Sequence, residues 1–443
     1  MRRFQKNKII ELLNTLSKAH KTIDDIKNDE VQSLLAECQQ TAIVIGTMIE
    51  ESEGEGTDTV HKLEEYCEQL FQFGNEFALG NIEKEDIVLG LNRTLSTILE
   101  RFISEIPEKR LIVFLPYKAS MWDSFETVWE DEQKDTDNEV MVIPIPYYDK
   151  NPDGSFGEMH DEHDMYPLNV PIADWREVDL EKLHPDRVYI HNPYDEGNKV
   201  TSVEPRFYAK AIKKQTDELV YIPYFVLQEP ELDNENELEN LQSFVLTSGV
   251  IQSSRVIVQS EVMKQAYIKI LTKSAPGIPA EVWEKKIEGT GSPKVERLLK
   301  LRERGIEIPE EWKRVILKPD GSRKTVVLYN TSLSTLLNEG EKHITKIKNV
   351  LKTFYDVQDD IALIWRPHPL FRATIKSQLP EFVESYDAIV SEYRTQGWGI
   401  YDESEDMTPA LILSKGYYGD MSSLVWLYQK LEKPIMIENV DVE

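Results

Sequence analysis

The sequence predicts an α/β protein in which a helical bundle precedes two parallel-sheet domains that face each other across a cleft. Apolar residues recur at helical spacing through the first hundred residues. From residue 111 onward, short apolar runs rich in β-branched side chains alternate with helical stretches, which is typical of parallel sheets buried on both faces. A second series of such runs begins at residue 325, so we expect two sheet domains in series with a cleft between them.

Residues 1–107 are predicted to form the helical bundle, because their apolar residues fall three or four positions apart. The clearest set is Ile87, Leu91, Leu95 and Ile98. The acidic, glycine-bearing stretch 50–56 is predicted as an exposed loop. Cys38 and Cys67 are the only cysteines, so neither a disulfide framework nor a thiolate metal cluster is expected. The bundle lacks sustained heptads, and the sequence predicts no oligomeric state.

Residues 108–300 are predicted as the first sheet domain, and residues 301–443 as the second. The expected strands of the first domain are 111–115, 140–145, 187–190, 219–222 and 255–258, followed by a helix over 261–270. Those of the second are 325–328, 361–364, 416–418 and 434–437. The charged stretch 294–323, which carries two prolines, is predicted as the hinge region between them.

The charge balance excludes one class of partner and disfavours another. The chain has 51 Lys and Arg residues against 79 Asp and Glu, a formal net charge of -28. Nucleic acids are bound through surplus positive charge, so we expect no nucleic-acid partner, and an anionic bilayer would repel the chain on average. No stretch reaches the roughly 20 apolar residues of a membrane span. We therefore expect a cytoplasmic protein, with a weak peripheral membrane contact through the basic residues 1–8 left open.

Two motifs near the C-terminus predict a phosphate site, because each follows a predicted strand and polar groups past strand ends bind ligands in open α/β sheets. Arg366 and His368 follow the strand at 361–364 and can supply positive charge. Ser422 and Ser423 open a predicted helix at 422–431, whose first amides suit an anion. Two plainer alternatives stay open. Asp420 or Ser422 caps this helix, or Arg366 pairs with an acidic neighbour.

Polar and aromatic residues also crowd the strand ends of the first domain, and we expect them to lie at its cleft-facing edge. They are Tyr117, Lys118, Trp122, Tyr194, Asp195 and Asn198. His191, at the end of a strand, is the first candidate for a general base, with a hydrogen-bonded core histidine as the alternative. Asp123 is the second candidate, and His160 and His163 come third. The stretch 160–163 is predicted as a hydrated acidic loop rather than a metal site, so no metal is expected.

Three motifs carry a resemblance to a known family. Gly289-Thr290-Gly291-Ser292-Pro293-Lys294, Arg366-Pro367-His368-Pro369 and Gly419-Asp420-Met421-Ser422-Ser423 resemble those of the CDP-glycerol glycerophosphotransferases of Gram-positive bacteria, over roughly residues 110–440. The resemblance implies a GT-B-like fold with two Rossmann-like domains, of which the first (108–300), with its strand-end residues, faces the acceptor and the second (301–443) binds the nucleotide donor. It implies transfer of glycerol phosphate, or a related polyol phosphate, from a CDP-activated donor to a hydroxyl acceptor in cell-surface polymer synthesis, with release of CMP. No cofactor besides the activated donor is implied.

By this resemblance, the donor contacts are Arg366, His368, Gly291, Ser292, Asp420, Ser422 and Ser423, and His368 joins His191 and Asp123 as a catalytic candidate. The chain departs from the family in two places. The usual His-Gly-Thr motif is absent, with His191-Asn192-Pro193-Tyr194-Asp195 about where it is expected, and Gly419-Asp420-Met421 stands where Thr-Asp-Tyr is common. The base and the donor therefore stay open. The alternatives are a GT-B glycosyltransferase that uses a UDP or GDP sugar, and a non-catalytic relative that acts as a scaffold.

Overall fold

Four amphipathic helices form the N-terminal bundle of the computed structural model, which describes residues 1–151, 153–198, 200–404 and 406–438. They are α1 (Arg3–Thr22), α2 (Asn28–Glu53), α3 (Asp58–Ala78) and α4 (Lys84–Glu105). Their apolar stripes meet in one core, in which Ile9, Leu63 and Ile98 are buried. The predicted loop at 50–56 is shorter than expected. Residues 50–53 contain neither glycine nor proline, so α2 continues to Glu53 and ends at Gly54, where φ is +84°.

The first α/β domain is built on a six-stranded parallel sheet of order β2-β1-β5-β7-β8-β9. Its elements, with those of a small second sheet, are β1 (Arg110–Leu115), α5 (Glu126–Glu132), β2 (Asn138–Val142), β3 (Tyr147–Lys150), β4 (Phe156–His160), α6 (Leu180–Leu183), β5 (Arg187–Ile190), β6 (Thr201–Val203), α7 (Ala209–Ile212), β7 (Glu218–Tyr221), α8 (Glu235–Val245), α9 (Ser248–Gln252), β8 (Arg255–Ile257), α10 (Glu261–Ser274), α11 (Ala280–Lys286) and β9 (Ile287–Glu288).

Two features of this domain differ from the prediction. The strand expected over 140–145 ends at Val142, because Pro144 and Pro146 have no N–H to donate to a ladder. The polar stretches beyond it form an unpredicted antiparallel sheet of order β4-β3-β6. These strands are three to five residues long and largely polar, so they lack the apolar signal that marks a strand in sequence.

The second α/β domain has a five-stranded parallel sheet of order β12-β11-β10-β13-β14. The elements from the connection onward are α12 (Pro293–Arg304), α13 (Glu310–Ile316), β10 (Thr325–Thr331), α14 (Leu333–Glu339), α15 (Glu341–Tyr355), β11 (Ile361–Pro367), α16 (Phe371–Gln378), α17 (Val383–Gln396), β12 (Ile400–Tyr401), α18 (Thr408–Leu413), β13 (Gly416–Gly419), α19 (Ser423–Lys430) and β14 (Ile435–Ile437). The fold-class prediction of two parallel-sheet domains behind a helical bundle is confirmed.

Helix α12 joins the two sheet domains and contacts both. Arg297 on this helix pairs with Glu126 at the start of α5 and donates to Thr408 Oγ1, at the start of α18, at 2.8 Å. Glu126 begins α5, which follows β1, and Thr408 begins α18, which follows β12, so both contacts lie on the carboxyl-end side of their sheets. The predicted hinge is thus largely helical. The predicted boundary between residues 300 and 301 falls inside α12, and the domain division stays a prediction. Among the described residues, no helix is both long and apolar enough to cross a bilayer.

Candidate functional site

The strand orders place the predicted site residues at the topological switch point of each sheet. In the second sheet, β11 and β12 lie on one side of β10 and β13 on the other, so the switch lies between β10 and β13. The carboxyl ends of these strands carry Ser332 and the run 419–423. In the first sheet, the switch lies between β1 and β5, whose ends carry Tyr117 and His191. Open α/β sheets bind ligands in the crevice at such points.

Gly419 allows the second-domain run to approach β10 closely. Its φ is +131°, a region that side chains with a Cβ rarely adopt, and a Cβ here would lie 2.2 Å from the backbone oxygen of Asn330. Tyr417 secures the same run, because its hydroxyl donates to the backbone oxygen of Asp420 at 2.5 Å and contacts Ser422 Oγ at 3.1 Å. The run is therefore held rigidly at the switch point.

Asp420 lies beneath this run and is buried, so its carboxylate is used inside the protein. Its two oxygens accept hydrogen bonds from the backbone N–H of Ser332 at 2.7 Å and from Lys346 Nζ at 2.9 Å. His343 Nε2 lies 3.3 Å from the same carboxylate, and burial lowers the pKa of this histidine to about 4 despite the nearby negative charge. The sequence predicts a donor contact for Asp420. In the structure its side chain instead holds α14 and α15 against β13.

Ser422 and Ser423 differ in their surroundings. Ser422 Oγ accepts a hydrogen bond from the N–H of Leu424 at 3.3 Å and so caps α19, which is the alternative weighed from the sequence. Ser423 is the first residue of α19 and is exposed, and among the described residues none forms a side-chain hydrogen bond with it. Ser423 is the hydroxyl of this pair that a ligand can reach.

Arg366, at the end of β11, is buried and paired rather than free. Its guanidinium donates to Asp402 Oδ2 at 2.5 Å and to the backbone oxygen of Ser404 at 2.7 Å, both past the end of β12. The acidic-neighbour alternative therefore describes Arg366 better than the predicted pyrophosphate contact. Sequence reasoning missed Asp402 because β12 is only two residues long and leaves no strand pattern.

His368 remains accessible beyond the end of β11. Its Nδ1 accepts a hydrogen bond from the N–H of Leu370 at 3.1 Å, so the neutral ring carries its hydrogen on Nε2. Desolvation by its neighbours lowers the pKa of His368 although the residue is exposed. We therefore expect His368 to act near pH 7 as a neutral hydrogen-bond donor, not as the cation that the sequence suggested.

His191 is a core histidine in the structure. It is fully buried, its Nε2 accepts from the N–H of Tyr117 at 3.1 Å, and its Nδ1 lies 3.0 Å from Ser124 Oγ. The ring also stacks on Phe125 with centroids 4.7 Å apart. Burial, with a smaller contribution from the charge of Lys294, lowers the pKa of His191 to about 3. Both ring nitrogens have partners inside the protein, so His191 is the hydrogen-bonded core histidine of the alternative interpretation. We do not propose it as the base.

The buried ring of His191 should lower the free energy of unfolding at acidic pH. An unfolded histidine takes up a proton near pH 6.5, whereas the folded ring stays neutral until about pH 3. The free energy of unfolding should therefore fall, as pH drops between these values, by about 1.4 kcal/mol per pH unit from this group. His191→Gln should remove that part of the slope in urea titrations across this range. His163→Gln, at an exposed histidine, is the control, and an unchanged slope in His191→Gln would contradict the assignment.

Asp123 lies beside the start of α12, which carries Lys294 and follows Ser292 of the 289–294 motif. Its Oδ2 pairs with Lys294 Nζ at 2.9 Å, and both side chains are largely buried. Asp123 Oδ1 and the hydroxyl oxygen of Ser292 are also buried, and neither has a hydrogen-bond partner within the described part of the chain. Gly291, which precedes Ser292 in sequence, has a φ of +123°. Asp123, Ser292 and Lys294 therefore form a polar group beside the interdomain helix, in which two buried oxygens have no hydrogen-bond partner among the described residues.

Most of the predicted acceptor-side residues stabilise the fold. Asp195 accepts from the N–H of Ala209 at 2.8 Å at the start of α7, and Asn198 accepts from the N–H of Val200 at 2.9 Å. Tyr194 donates to the backbone of Ser243 at 3.3 Å, and Tyr117 and Trp122 are buried. Lys118 is the exception. Its half-buried ammonium lies over the ring of Tyr147, 4.6 Å from the centroid.

Comparison with known proteins gives only distant likenesses. No protein family and no curated protein matches the sequence. Among solved structures, a variant of the wall teichoic acid polymerase TagF has 13% identity, a TM-score of 0.42 and coverage of 84% of this chain and 78% of its own. The UDP-GlcNAc 2-epimerase from Neisseria meningitidis, bound to UDP-GlcNAc, has 12% identity, a TM-score of 0.44 and coverage of 74% of this chain and 82% of its own. S. aureus MnaA with UDP has 11% identity, a TM-score of 0.42 and coverage of 74% of this chain and 78% of its own. Likenesses this distant do not assign a function to this chain.

Proposed function

We propose that the protein is a transferase that moves glycerol phosphate, or a related polyol phosphate, from a CDP-activated donor to a hydroxyl acceptor. The observation that carries the proposal is the position of the run 419–423 at the switch point of the second sheet. There the backbone N–H and the exposed hydroxyl of Ser423, at the start of α19, can bind a phosphate. The resemblance of the motifs to CDP-glycerol glycerophosphotransferases supplies the donor class.

In the proposed reaction, an acceptor hydroxyl oxygen attacks the phosphorus that carries the polyol. A new P–O bond forms, the bond from this phosphorus to the bridging oxygen breaks, and CMP leaves with the electron pair. Such transfer depends mainly on positioning and on hydrogen bonds to the phosphoryl oxygens. Ser423 and His368 are proposed to bind the donor diphosphate, with the His368 Nε2–H as a neutral donor. The unpartnered Asp123 Oδ1 is proposed to accept the hydroxyl proton.

A thermal-shift titration with CDP-glycerol, CDP, CMP, UDP and GDP tests the donor class. A ligand at a hundred times its dissociation constant should stabilise the folded state by about 2.7 kcal/mol. Selective stabilisation by the cytidine compounds is the expected result. Preference for UDP or GDP would favour a nucleotide-sugar glycosyltransferase instead, and indifference to every nucleotide would favour a non-catalytic scaffold.

Two variants test the proposed contacts directly. Loss of a hydrogen bond to a charged group costs about 1.5–3 kcal/mol, so Ser423→Ala and His368→Ala should each weaken CDP binding by roughly 10- to 150-fold in calorimetry. Ser33→Ala and His61→Ala, at exposed bundle positions, are matched controls and should bind as the parent protein does. Unchanged affinity in both site variants would place the nucleotide elsewhere.

A further inference from the structure

The hairpin of β3 and β4 brings one imidazole and two carboxylates together on one face of the small antiparallel sheet. Tyr147 pairs with His160 and Tyr148 with Met159 in the register of the hairpin. Side chains alternate between the two faces of a strand, so Asp149 shares a face with Tyr147, and Glu158 with His160. One ligand atom from each of Asp149, Glu158 and His160 lies within 4.8 Å of the other two.

The imidazole of this group is held in a fixed orientation. The ring of His160 stacks on Tyr147, with centroids 4.8 Å apart and an angle of 21° between the planes. The Tyr147 hydroxyl in turn donates to Glu162 Oε1 at 2.8 Å. His160 Nε2 then lies 3.0 Å from Asp149 Oδ2. Two ligands at about 2 Å from one zinc ion are roughly 3.3 Å apart in tetrahedral geometry, so this pair is already near the required separation.

Among the described residues, Asp149 is paired only with His160, and Glu158 has no basic partner. Within the described part of the chain, no lysine or arginine forms an ion pair with Asp149 or Glu158. The nearest lysine in sequence, Lys150, points to the other face, where its ammonium lies 5.3 Å from the Phe156 ring centroid. Phe156 reaches that face and stacks on Tyr148 because the register of the hairpin shifts between Tyr148 and Lys150. The group therefore brings two carboxylates together without a lysine or arginine, an arrangement that a divalent cation would balance.

The adjacent acidic residues are used by protein groups instead. Asp161 accepts from Trp175 Nε1 at 3.1 Å and pairs with Arg176, and Glu162 also accepts from the N–H of Ala119 at 2.7 Å. The residues 160–163 thus do not converge on one point. His160 belongs to a different set, which pairs across the hairpin and which the sequence could not show because Asp149 lies eleven residues away.

We propose that Asp149, Glu158 and His160 bind a divalent transition-metal ion of the zinc class. Imidazole together with carboxylate oxygen suits Zn²⁺, whereas Mg²⁺ and Ca²⁺ prefer oxygen ligands alone. Three protein ligands leave a coordination position for water. The ion would join β3 to β4, and through the stack of His160 on Tyr147 it would secure the platform under the ammonium of Lys118. This inference does not depend on the proposed transfer reaction.

Calorimetry with ZnCl₂ on the full chain, after treatment with a chelator, tests the site, and Co²⁺ absorption reports the ligand geometry. We expect saturable binding of one ion, which His160→Ala weakens at least tenfold and which Asp149→Asn and Glu158→Gln also weaken. His163→Ala is the matched control, because His163 lies three residues away and contacts Asp161 and Asp164. All these positions are at least partly exposed, so the variants should keep the parent far-ultraviolet circular dichroism.

Two results would overturn the proposal. One is the lack of saturable Zn²⁺ binding by the parent protein. The other is binding that stays equally tight in His160→Ala and Asp149→Asn, since the ion would then occupy another part of the chain. Displacement of Zn²⁺ by Mg²⁺ at a similar concentration would contradict the assigned metal class, because that behaviour indicates an all-oxygen site.

Discussion

Replacing Lys346 with methionine is expected to lower the free energy of unfolding by about 3–5 kcal/mol, the usual cost of breaking a buried ion pair from one side. Lys346 is buried and donates to Asp420 Oδ1 at 2.9 Å and to the backbone oxygen of Glu438 at 2.6 Å. Methionine fills a similar volume but leaves the Asp420 carboxylate without its cation. Urea denaturation measures the change as a shift of the midpoint at constant slope.

A matched control and a double variant separate this effect from general damage to the helix. Lys348→Met lies on the same helix at an exposed position and should stay within about 0.5 kcal/mol of the parent protein. The double variant Lys346→Met, Asp420→Asn removes both charges, so it should be more stable than Lys346→Met alone. If the double variant loses the sum of the two single effects, the two side chains do not interact and the proposed network is wrong.

Gly419→Ala is the second large effect, because this glycine is constrained twice. A residue with a Cβ at φ of +131° is strained, and its Cβ would lie 2.2 Å from the backbone oxygen of Asn330, which cannot rotate away. Strained backbone costs about 1–3 kcal/mol and overpacking about 1–3 kcal/mol, so a loss of about 2–6 kcal/mol is expected. Because the run 419–423 must shift, CDP affinity should fall as well.

Gly46→Ala gives the opposite result and serves as the control for Gly419→Ala. Gly46 lies inside α2, and a Cβ there would meet no atom within 4 Å. Alanine in a helix interior should stabilise the protein by about 0.4–1 kcal/mol. Unfolding curves of the two variants therefore shift in opposite directions. A Gly419→Ala protein as stable as the parent would show that β13 and β10 are not packed as closely as described.

The sequence predicted the elements whose signal is local. The strand at 187–190 has the predicted bounds, and the helix predicted from 261 begins there and continues to Ser274, because continuous apolar runs and helical periodicity are readable over a few residues. Short polar strands such as β3 and β4 carry no such signal and were missed. The same limit hid Asp402, which follows a strand of two residues.

The sequence by itself determined the fold class and the chain positions of the strand ends, because burial of both sheet faces imposes apolar runs that the chain displays directly. Only the tertiary structure decided which polar residues at those ends are available to a ligand. The structure pairs Arg366 with Asp402, Asp420 with Lys346 and His191 with Ser124, which lie 36, 74 and 67 residues away in sequence. His368 and Ser423 remain accessible. Side-chain contacts across such distances depend on the order of the strands in the sheets, which cannot be predicted from the local sequence.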